Sequence, residues 1–423
     1  MFVYLLKLIK IVMIKRILEF QTATLLDEQF DYPHKAYPTI HVVGTDGKGS
    51  TSNMISSILI DAGYKVGMFN TPGIKGRNDT IKINGKAIPK EELDILKAEV
   101  ENICNEHNIP IVRWVNVHTV IAFLYFKKEN VDIAVIEACK GGATDPTNVI
   151  QPLFSLITNI TPDHLEVFGN DFMTYVNEKA GVIKPNIPTY VSETPKDEKV
   201  KNVLIEKAVE CQTSLTFVDE EENNFIIKQY GDGKYLTKFG EFSMSLGGDY
   251  QYHNLNLALN AIQKLKLQGY NISDENIVNG LNHIYENTGL CGRWQILKNE
   301  PKVILDVCHT ADSFKKVIPQ LLNSNYNKLH IILGLYENRD VETIIKLFPD
   351  DENIEYYFPK TMIRRLARPE RLMKASNWMK KSKRHISTFI SQTISSLSQN
   401  CNENDMIFAG GNTEYAGIVN KVS

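Results

Sequence analysis

The run Gly44-Thr45-Asp46-Gly47-Lys48-Gly49-Ser50-Thr51 holds the residue types that grip a phosphate group. Glycines let main-chain N–H groups approach an anion closely, and the positive end of a following helix adds to their pull. Lys48 would set a full positive charge against the terminal phosphates, and the Ser50 hydroxyl offers a ligand for Mg²⁺. The general pattern GxxxxGK[ST] is not met, because Val42 stands at its first glycine and Gly49 separates lysine from serine. A short glycine turn also serves purely structural ends, but a strand before it and a helix after it favour phosphate.

Three further side chains could join this chemistry. Glu137 lies near the end of the apolar run VDIAVIEA, at the carboxyl edge where open α/β sheets bind ligands. A carboxylate there suits Mg²⁺, directly or through water, and equally suits a helix cap or a salt bridge. His164 lies in the loop TPDHLEVFG after the run PLFSLITNI; alone, it reads as a hydrogen-bonded loop histidine more readily than as a ligand. Lys179, in NEKAGVIK, reads by itself as a solvated helix lysine.

The segments around these residues predict how they are positioned. YPTIHVVGTDGKGSTSNMISSILIDAGYKVGMFN reads as a buried strand, a glycine turn, a helix from about Lys48 to Ala62 and a second strand, a βαβ unit. Strands over 131–138 and 152–160, alternating along the chain with helical stretches such as PKEELDILKAEVENICNEHN before them, imply a parallel sheet covered on both faces. Short alternating runs between Thr213 and Leu246, with Gly231, Gly233 and Gly240, predict a small antiparallel ribbon. Helices over 252–268 and 273–285 follow. After the connector TGLCGR, strands at PKVILDVCH, KLHIILGL, NIEYYFP and DMIFAGG predict a smaller α/β domain over 291–423, leaving 1–290 as the first domain.

With 423 residues, two or three cores are the natural expectation. Lys plus Arg number 47 and Asp plus Glu 50, so the positive excess of a nucleic-acid binder is absent. The six cysteines are scattered, without a CxxC pair or a Cys/His cluster at zinc spacing, which fits free thiols in a reducing cytoplasm. Lys7, Lys10, Lys15 and Arg16 interrupt the apolar opening MFVYLLKLIKIVMIKRILEF, which therefore reads as an amphipathic helix and not a membrane anchor.

Seven ordered segments resemble the folylpolyglutamate synthase/dihydrofolate synthase family of the Mur ligase superfamily. HVVGTDGKGST resembles the family's HVAGTNGKGST, IEACKGGATDPTNVI its EVGLGGRxDATNV, and ITPDHLEVFGN with NEKAGVIKPNIP its D-H, L-G and EKAGIIKPGxP run. GDYQYHNLNLALNAI is similar to its helix with paired Gln and Asn, GRWQIL to its PGRFQ connector, and ILDVCHTADS to its DxAHNP strand end. The resemblance implies a P-loop ATPase domain on a parallel sheet, a small antiparallel ribbon and a C-terminal Rossmann-like α/β domain. It implies an ATP-dependent ligase that activates a carboxylate as an acyl phosphate and joins it to an amine. The implied substrates are ATP, L-glutamate and a small folate-like carboxylic acid, in a cytoplasmic monomer with no nucleic-acid or membrane partner.

Residue roles follow from the same resemblance. Gly44, Thr45, Asp46, Gly47, Lys48, Gly49 and Ser50 would hold the nucleotide, with Lys48 the phosphate-binding lysine. Ser50, Glu137 and His164 would place two Mg²⁺ ions, and Lys179, 15 residues after His164 as in the family, would be carbamylated into an anionic ligand. Gln251 and Asn254, three apart on one helical face, would meet the nucleotide; Arg293, Asp306 and His309 would complete the site from the second domain.

Departures gather at the acceptor. FNTPGIKGRNDTIKING stands where the family has TSPHLxxxxERIRING, with Thr71-Pro72-Gly73 for Ser-Pro-His and Asp79-Thr80 for Glu-Arg. Ala143 replaces an arginine, Thr310-Ala311 replaces Asn-Pro, and Asp46 replaces an asparagine, adding a carboxylate that repels phosphate unless a cation neutralises it. Two other readings therefore stand beside folate ligation: a sister ligase for another carboxylic acid, and a catalytically weak nucleotide-binding protein.

Overall fold

Thr39–Val43 form β1, buried at every position, as a strand must be when helices cover both faces of its sheet. The computed structural model describes residues 2–73, 76–162, 171–231, 233–244 and 246–419. The chain divides into two compact units, one comprising 1–230, 234–244 and 251–289, the other 231–233, 245–250 and 290–423.

In the first unit, β1 lies inside an eight-stranded sheet. Its other strands are β2 (Val66–Phe69), β3 (Ile81–Ile83), β4 (Lys86–Ala87), β5 (Ile133–Glu137), β6 (Phe154–Ile157), β7 (Thr189–Val191) and β8 (Leu215–Phe217). The order is β4-β3-β2-β5-β1-β6-β7-β8, parallel except for the short β3–β4 hairpin at one edge. Val42 pairs with Glu137 on one side and Val43 with Ile157 on the other, so these chain ends share one rim. The expected βαβ unit is present, with α2 spanning Lys48–Asp61 after α1 (Phe2–Gln29). Helices α3 (Lys90–Glu106) and α4 (Trp114–Lys128) bury Leu93, Leu96, Val100, Phe123 and Phe126 with Phe69 and Ile136 of the sheet. A second cluster joins Val43 and Ile157 to Ala180 of α5 (Phe172–Ala180) and Leu204 of α6 (Glu198–Glu210).

Two expectations need correction. The ribbon is narrower than 213–246, because 215–217 belongs to the large parallel sheet. Only β9 (Ile226–Gly231), β10 (Lys234–Thr237) and β11 (Gly240–Ser243) form the three-stranded ribbon. The N-terminal segment is a helix, yet over the residues whose side chains are described its facing is unlike that of an ordinary amphipathic helix. Arg16, Glu19 and Asp27 are buried while Ile14, Ile17, Leu18 and Leu25 are exposed. Ion pairs compensate the buried charges, Arg16 to Glu178 at 3.0 Å, Glu19 to Arg113 at 3.5 Å and Asp27 to His34 at 2.8 Å. Among the described residues, no helix is long and apolar enough to cross a membrane.

α7 (Gln251–Leu267), α8 (Asp274–Asn282) and α9 (Ile284–Thr288) complete the first unit. Gly280 of α8 lies so close to α2 that an added Cβ would meet Ile58 Cα at 2.5 Å.

The second unit is a six-stranded sheet in the order β12-β13-β17-β14-β15-β16. Its strands are β12 (Gln295–Asn299), β13 (Lys302–Asp306), β14 (Leu329–Leu333), β15 (Ile354–Pro359), β16 (Lys383–Ser387) and β17 (Met406–Gly410). β12 runs antiparallel to β13 and the remaining pairs are parallel. The sequence reading missed β12 and β16, whose burial is too patchy to leave a strong apolar run. Trp294, Phe314, Phe348 and Tyr356 anchor the core. Helix α10 (Ala311–Asn323) starts with a capping box in which Thr310 and Ser313 satisfy each other's main-chain N–H, giving Thr310 a structural role.

Candidate active site

β1 ends at the glycine turn, and the turn's geometry requires its glycines. Gly44 has φ +146, and a Cβ there would lie 1.9 Å from Thr158 Oγ1. Gly47 has φ +81, and a Cβ there would lie 2.1 Å from Asn254 Oδ1. Gly47 is also the N-cap of α2 and supplies no side-chain cap. Lys48, Gly49 and Ser50 therefore open a helix whose first N–H groups have no intrahelical acceptor, the arrangement that attracts an anion.

Not every amide of the turn faces outward. Asn159, two residues after β6, accepts from Thr45 N at 3.0 Å and from Asp46 N at 2.8 Å through Oδ1. Thr45 Oγ1 donates to the Thr161 carbonyl at 2.9 Å and contacts Tyr175 OH at 2.7 Å. These bonds hold the first half of the turn and leave phosphate contact to the second half. Asn159 and Tyr175 were not singled out from sequence, although Asn159 stands at a sheet rim of the kind that attracts attention.

Lys179 overturns its reading as a solvated lysine: it is only 1% exposed. Sitting in the last turn of α5, it donates to the carbonyls of Gly44 at 2.8 Å and Gly141 at 3.1 Å. Lys48 also donates to Gly44 O, at 3.0 Å, and to Thr45 O at 2.8 Å. Burial first, and then the Lys48 charge, bring the Lys179 amine down to about 7, against the opposing pull of Asp145 and Glu178. A large fraction of this amine is thus neutral near pH 7. Neighbouring groups fix its surroundings: Glu178 Oε1 accepts from Thr144 N at 2.8 Å, Thr144 Oγ1 at 2.7 Å and Arg16 at 3.0 Å. Burial works against the Asp145 charge, but bonds from Lys140 N, Gly141 N and both donors of Thr147 outweigh it and hold that carboxyl below its ordinary value. Thr147 in turn meets His41 of β1, whose burial lowers its pKa to about 3 and keeps the ring neutral.

Glu137 ends β5 beside the turn, 4% exposed, and Oε2 accepts from Asn70 Nδ2 at 2.9 Å. From α7, Gln251 donates to Ser50 Oγ at 3.2 Å and Asn254 donates to Gln251 Oε1 at 2.8 Å. The fold thus gathers the turn, Ser50, Glu137, Lys179, Gln251 and Asn254 around the end of β1. A buried carboxylate, a hydroxyl on the first helical turn and uncapped amides suit a magnesium–phosphate group. His164 lies outside the described residues.

Arg293, Asp306 and His309 gather in the second unit at the end of β13. Asp306 is committed to structure: it accepts from Trp294 N at 2.7 Å, Tyr250 OH at 2.8 Å and Cys308 N at 2.7 Å. His309 Nδ1 bonds Val307 O at 2.9 Å and its ring meets Tyr336 edge-on at 5.5 Å. Arg293 is half-buried and donates to Gly292 O at 3.3 Å.

In the divergent loop, Asp79 pairs with Lys82 at 3.1 Å inside the protein. Thr80 Oγ1 approaches His118 Nδ1 at 3.4 Å, and the Arg77 guanidinium lies 5.9 Å from the Trp114 ring centre.

The family model of the Mur ligase middle domain matches residues 42–262. The dihydrofolate synthase/folylpolyglutamate synthase of Bacillus subtilis (strain 168) is 30% identical over 327 residues, 74% of this chain and 75% of that protein. The folylpolyglutamate synthase of Lacticaseibacillus casei is 28% identical over 71% of this chain and 72% of its own. Among solved structures, the Mycobacterium tuberculosis folylpolyglutamate synthase complexed with ADP and AMPPCP superposes with a TM-score of 0.80, covering 95% of both chains at 22% identity, which speaks for the fold.

Proposed function

The chain belongs to the folylpolyglutamate synthase/dihydrofolate synthase family of Mur ligases, and from that premise we propose that it couples ATP cleavage to amide formation between L-glutamate and a pteroate- or folate-type carboxylate. The observation that carries the chemistry is the cluster at the end of β1, where Lys48, Ser50, Glu137 and Lys179 converge on one glycine turn. In this reading the substrate carboxylate attacks the γ-phosphorus of ATP and the bond to ADP breaks, giving an acyl phosphate; the glutamate amine then attacks its acyl carbon, forming the amide bond as inorganic phosphate and a proton leave.

Each residue has a task in that sequence. The N–H groups at the start of α2 and the Lys48 ammonium hold the outer phosphates. Mg²⁺ supplies charge neutralisation of the triphosphate; Ser50, Glu137 and His164 would hold the two ions. Gln251 keeps the Ser50 hydroxyl oriented, and Asn254 keeps Gln251 oriented. Lys179 adds carbon dioxide through its neutral amine, giving a carbamate and a proton, and the carbamate oxygens replace a repelling cation with a ligand. Its burial, and its pKa near 7, supply the neutral amine that this addition needs. In the second unit, Arg293 and His309 stand at positions that the family resemblance assigns to the ATP site, and Asp306 holds the connector that carries Arg293.

One observation favours a second acceptor class. The Asp79–Lys82 ion pair and the Thr80–His118 contact occupy the loop where the family has a Glu-Arg pair, so the groups this loop offers an acceptor differ from the family's. Incubation with ATP, Mg²⁺, L-glutamate and either dihydropteroate or tetrahydrofolate decides the matter. A product heavier by one glutamyl unit is expected; ATP turnover with another acid alone would replace the folate reading.

A further inference from the structure

Folding brings together three ligand-type side chains that no sequence spacing connects. His330 is the second residue of β14, Cys401 follows the helix Ile390–Asn400, and Asp405 immediately precedes β17. One donor atom from each lies within 4.8 Å of the other two. They occupy the edge where the parallel strands begin, whereas Asp306 and Gly410 lie at the opposite ends of their strands.

The histidine is prepared as a ligand. Tyr357 OH donates to Glu355 Oε2 at 2.9 Å, so in its 3.2 Å contact with His330 the tyrosine oxygen accepts and Nδ1–H donates. That assignment places the lone pair on Nε2. His330 is 6% exposed, and its Nε2 is buried without a hydrogen-bond partner. A carboxylate acting through a hydroxyl on the far ring nitrogen is the outer support that metal-binding histidines use to fix tautomer and orientation.

The other two groups are held as well. Asp405 accepts from Lys328 N at 3.1 Å through Oδ1 and from Asn402 N at 2.9 Å through Oδ2, which fixes the carboxylate plane and leaves lone pairs on both oxygens. Cys401 is a free thiol. The Lys328 ammonium lies 3.8 Å from Glu355 Oε1.

We propose that His330 Nε2, Cys401 Sγ and the Asp405 carboxylate bind one divalent transition-metal ion, best matched by Zn²⁺, which clamps the starts of β14 and β17 to the end of the helix Ile390–Asn400. A nitrogen, a thiolate and a carboxylate suit borderline-soft zinc and not Mg²⁺ or Ca²⁺, which take oxygen shells. Zinc bonds of about 2.0–2.3 Å put neighbouring ligand atoms about 3.3–3.8 Å apart, so modest side-chain rotation closes the observed spread. Water fills the fourth position, and the cysteine proton leaves to solvent as the ion binds. This site is separate from the magnesium chemistry of the first unit.

The test uses the untagged full chain, stripped with a chelator and titrated with Co²⁺ as a spectroscopic probe. The expected result is one Co²⁺ per chain, with a thiolate-to-cobalt charge-transfer band and tetrahedral visible bands, displaced by Zn²⁺. Cys401→Ser should abolish the charge-transfer band, and Asp405→Asn should keep it while weakening Zn²⁺ binding by about tenfold or more in competition with a chromophoric chelator. A wild-type chain with no such band, or a band that persists in Cys401→Ser, overturns the assignment. X-ray absorption of the zinc-loaded wild type decides independently of how the variants fold: one sulfur among four ligands supports the site, and a shell of oxygen and nitrogen alone refutes it.

Discussion

Lys48 and Lys179 donate to the same oxygen, the carbonyl of Gly44, from 3.0 and 2.8 Å. Two ammonium groups drawn to one acceptor repel each other, and because Lys179 is buried, it is the one whose charge yields. A lysine that readily loses its proton therefore sits beside the lysine of the glycine turn, and the burial of Lys179 sets its chemistry.

The stability of the fold should carry the mark of Lys179. Its folded pKa, about 7, is below the ordinary lysine value of 10.5. Below about pH 7 both states hold the proton and the desolvation penalty is complete; between about 7 and 10.5 the unfolded state alone holds it, so the unfolding free energy rises with pH. In carbon-dioxide-free buffer, the melting temperature of wild type relative to Lys179→Met should climb across that window. A flat difference would contradict the buried, shifted amine.

Removing the other lysine should disable phosphate transfer. Lys48→Ala is expected to lower the rate of ligation by about 100-fold or more, while the melting temperature stays within a few degrees. Near-normal product formation, followed by mass spectrometry, would count against the proposed site.

If Lys179 works as a carbamate, a truncated side chain leaves room for a substitute anion. Lys179→Ala should lose activity and regain part of it when formate or acetate is added. Carbon-13 NMR of wild type in labelled bicarbonate should show a carbamate resonance absent from the variant, and no resonance in wild type would exclude the modification.

Gly47→Ala probes the contact between the turn and α7. The positive φ alone costs about 1–3 kcal/mol for a residue with a Cβ. The new methyl must also push Asn254 aside, which breaks its bond to Gln251 and loosens Ser50. Higher KM for ATP is expected, and adding Asn254→Ala should recover stability but not KM. Recovery of both would mean that Asn254 and Gln251 do not support the nucleotide.

Asp306→Ala should be chiefly a stability variant. It leaves Trp294 N, Cys308 N and Tyr250 OH without their acceptor in a buried place, a loss of roughly 2–4 kcal/mol. Denaturant unfolding followed by tryptophan fluorescence measures it; a loss under about 0.5 kcal/mol would show that water replaces the carboxylate.

The glycine turn, the parallel strands on either side of it and the chain's family were legible in the sequence, because φ-permissive residues, apolar runs and motif order are local properties. The two-residue β4 and the patchy β12 and β16 were not, since short edge strands carry too few buried positions to leave a period.

What the sequence determined by itself was which groups could act: a lysine on a glycine turn, a carboxylate closing a strand, an amide pair on one helical face. The tertiary structure decided their physical state. Lys179 became a buried, easily deprotonated amine only because α5 packs it beneath Gly44 and Gly141, and Arg16 and Glu19 came to lie on the buried face of α1 because distant partners neutralise them. Likewise His330, Cys401 and Asp405 meet through the pairing of β14 with β17, across more than seventy residues of chain. Burial and charge state depend on what packs against a side chain, and that neighbour comes from elsewhere in the chain.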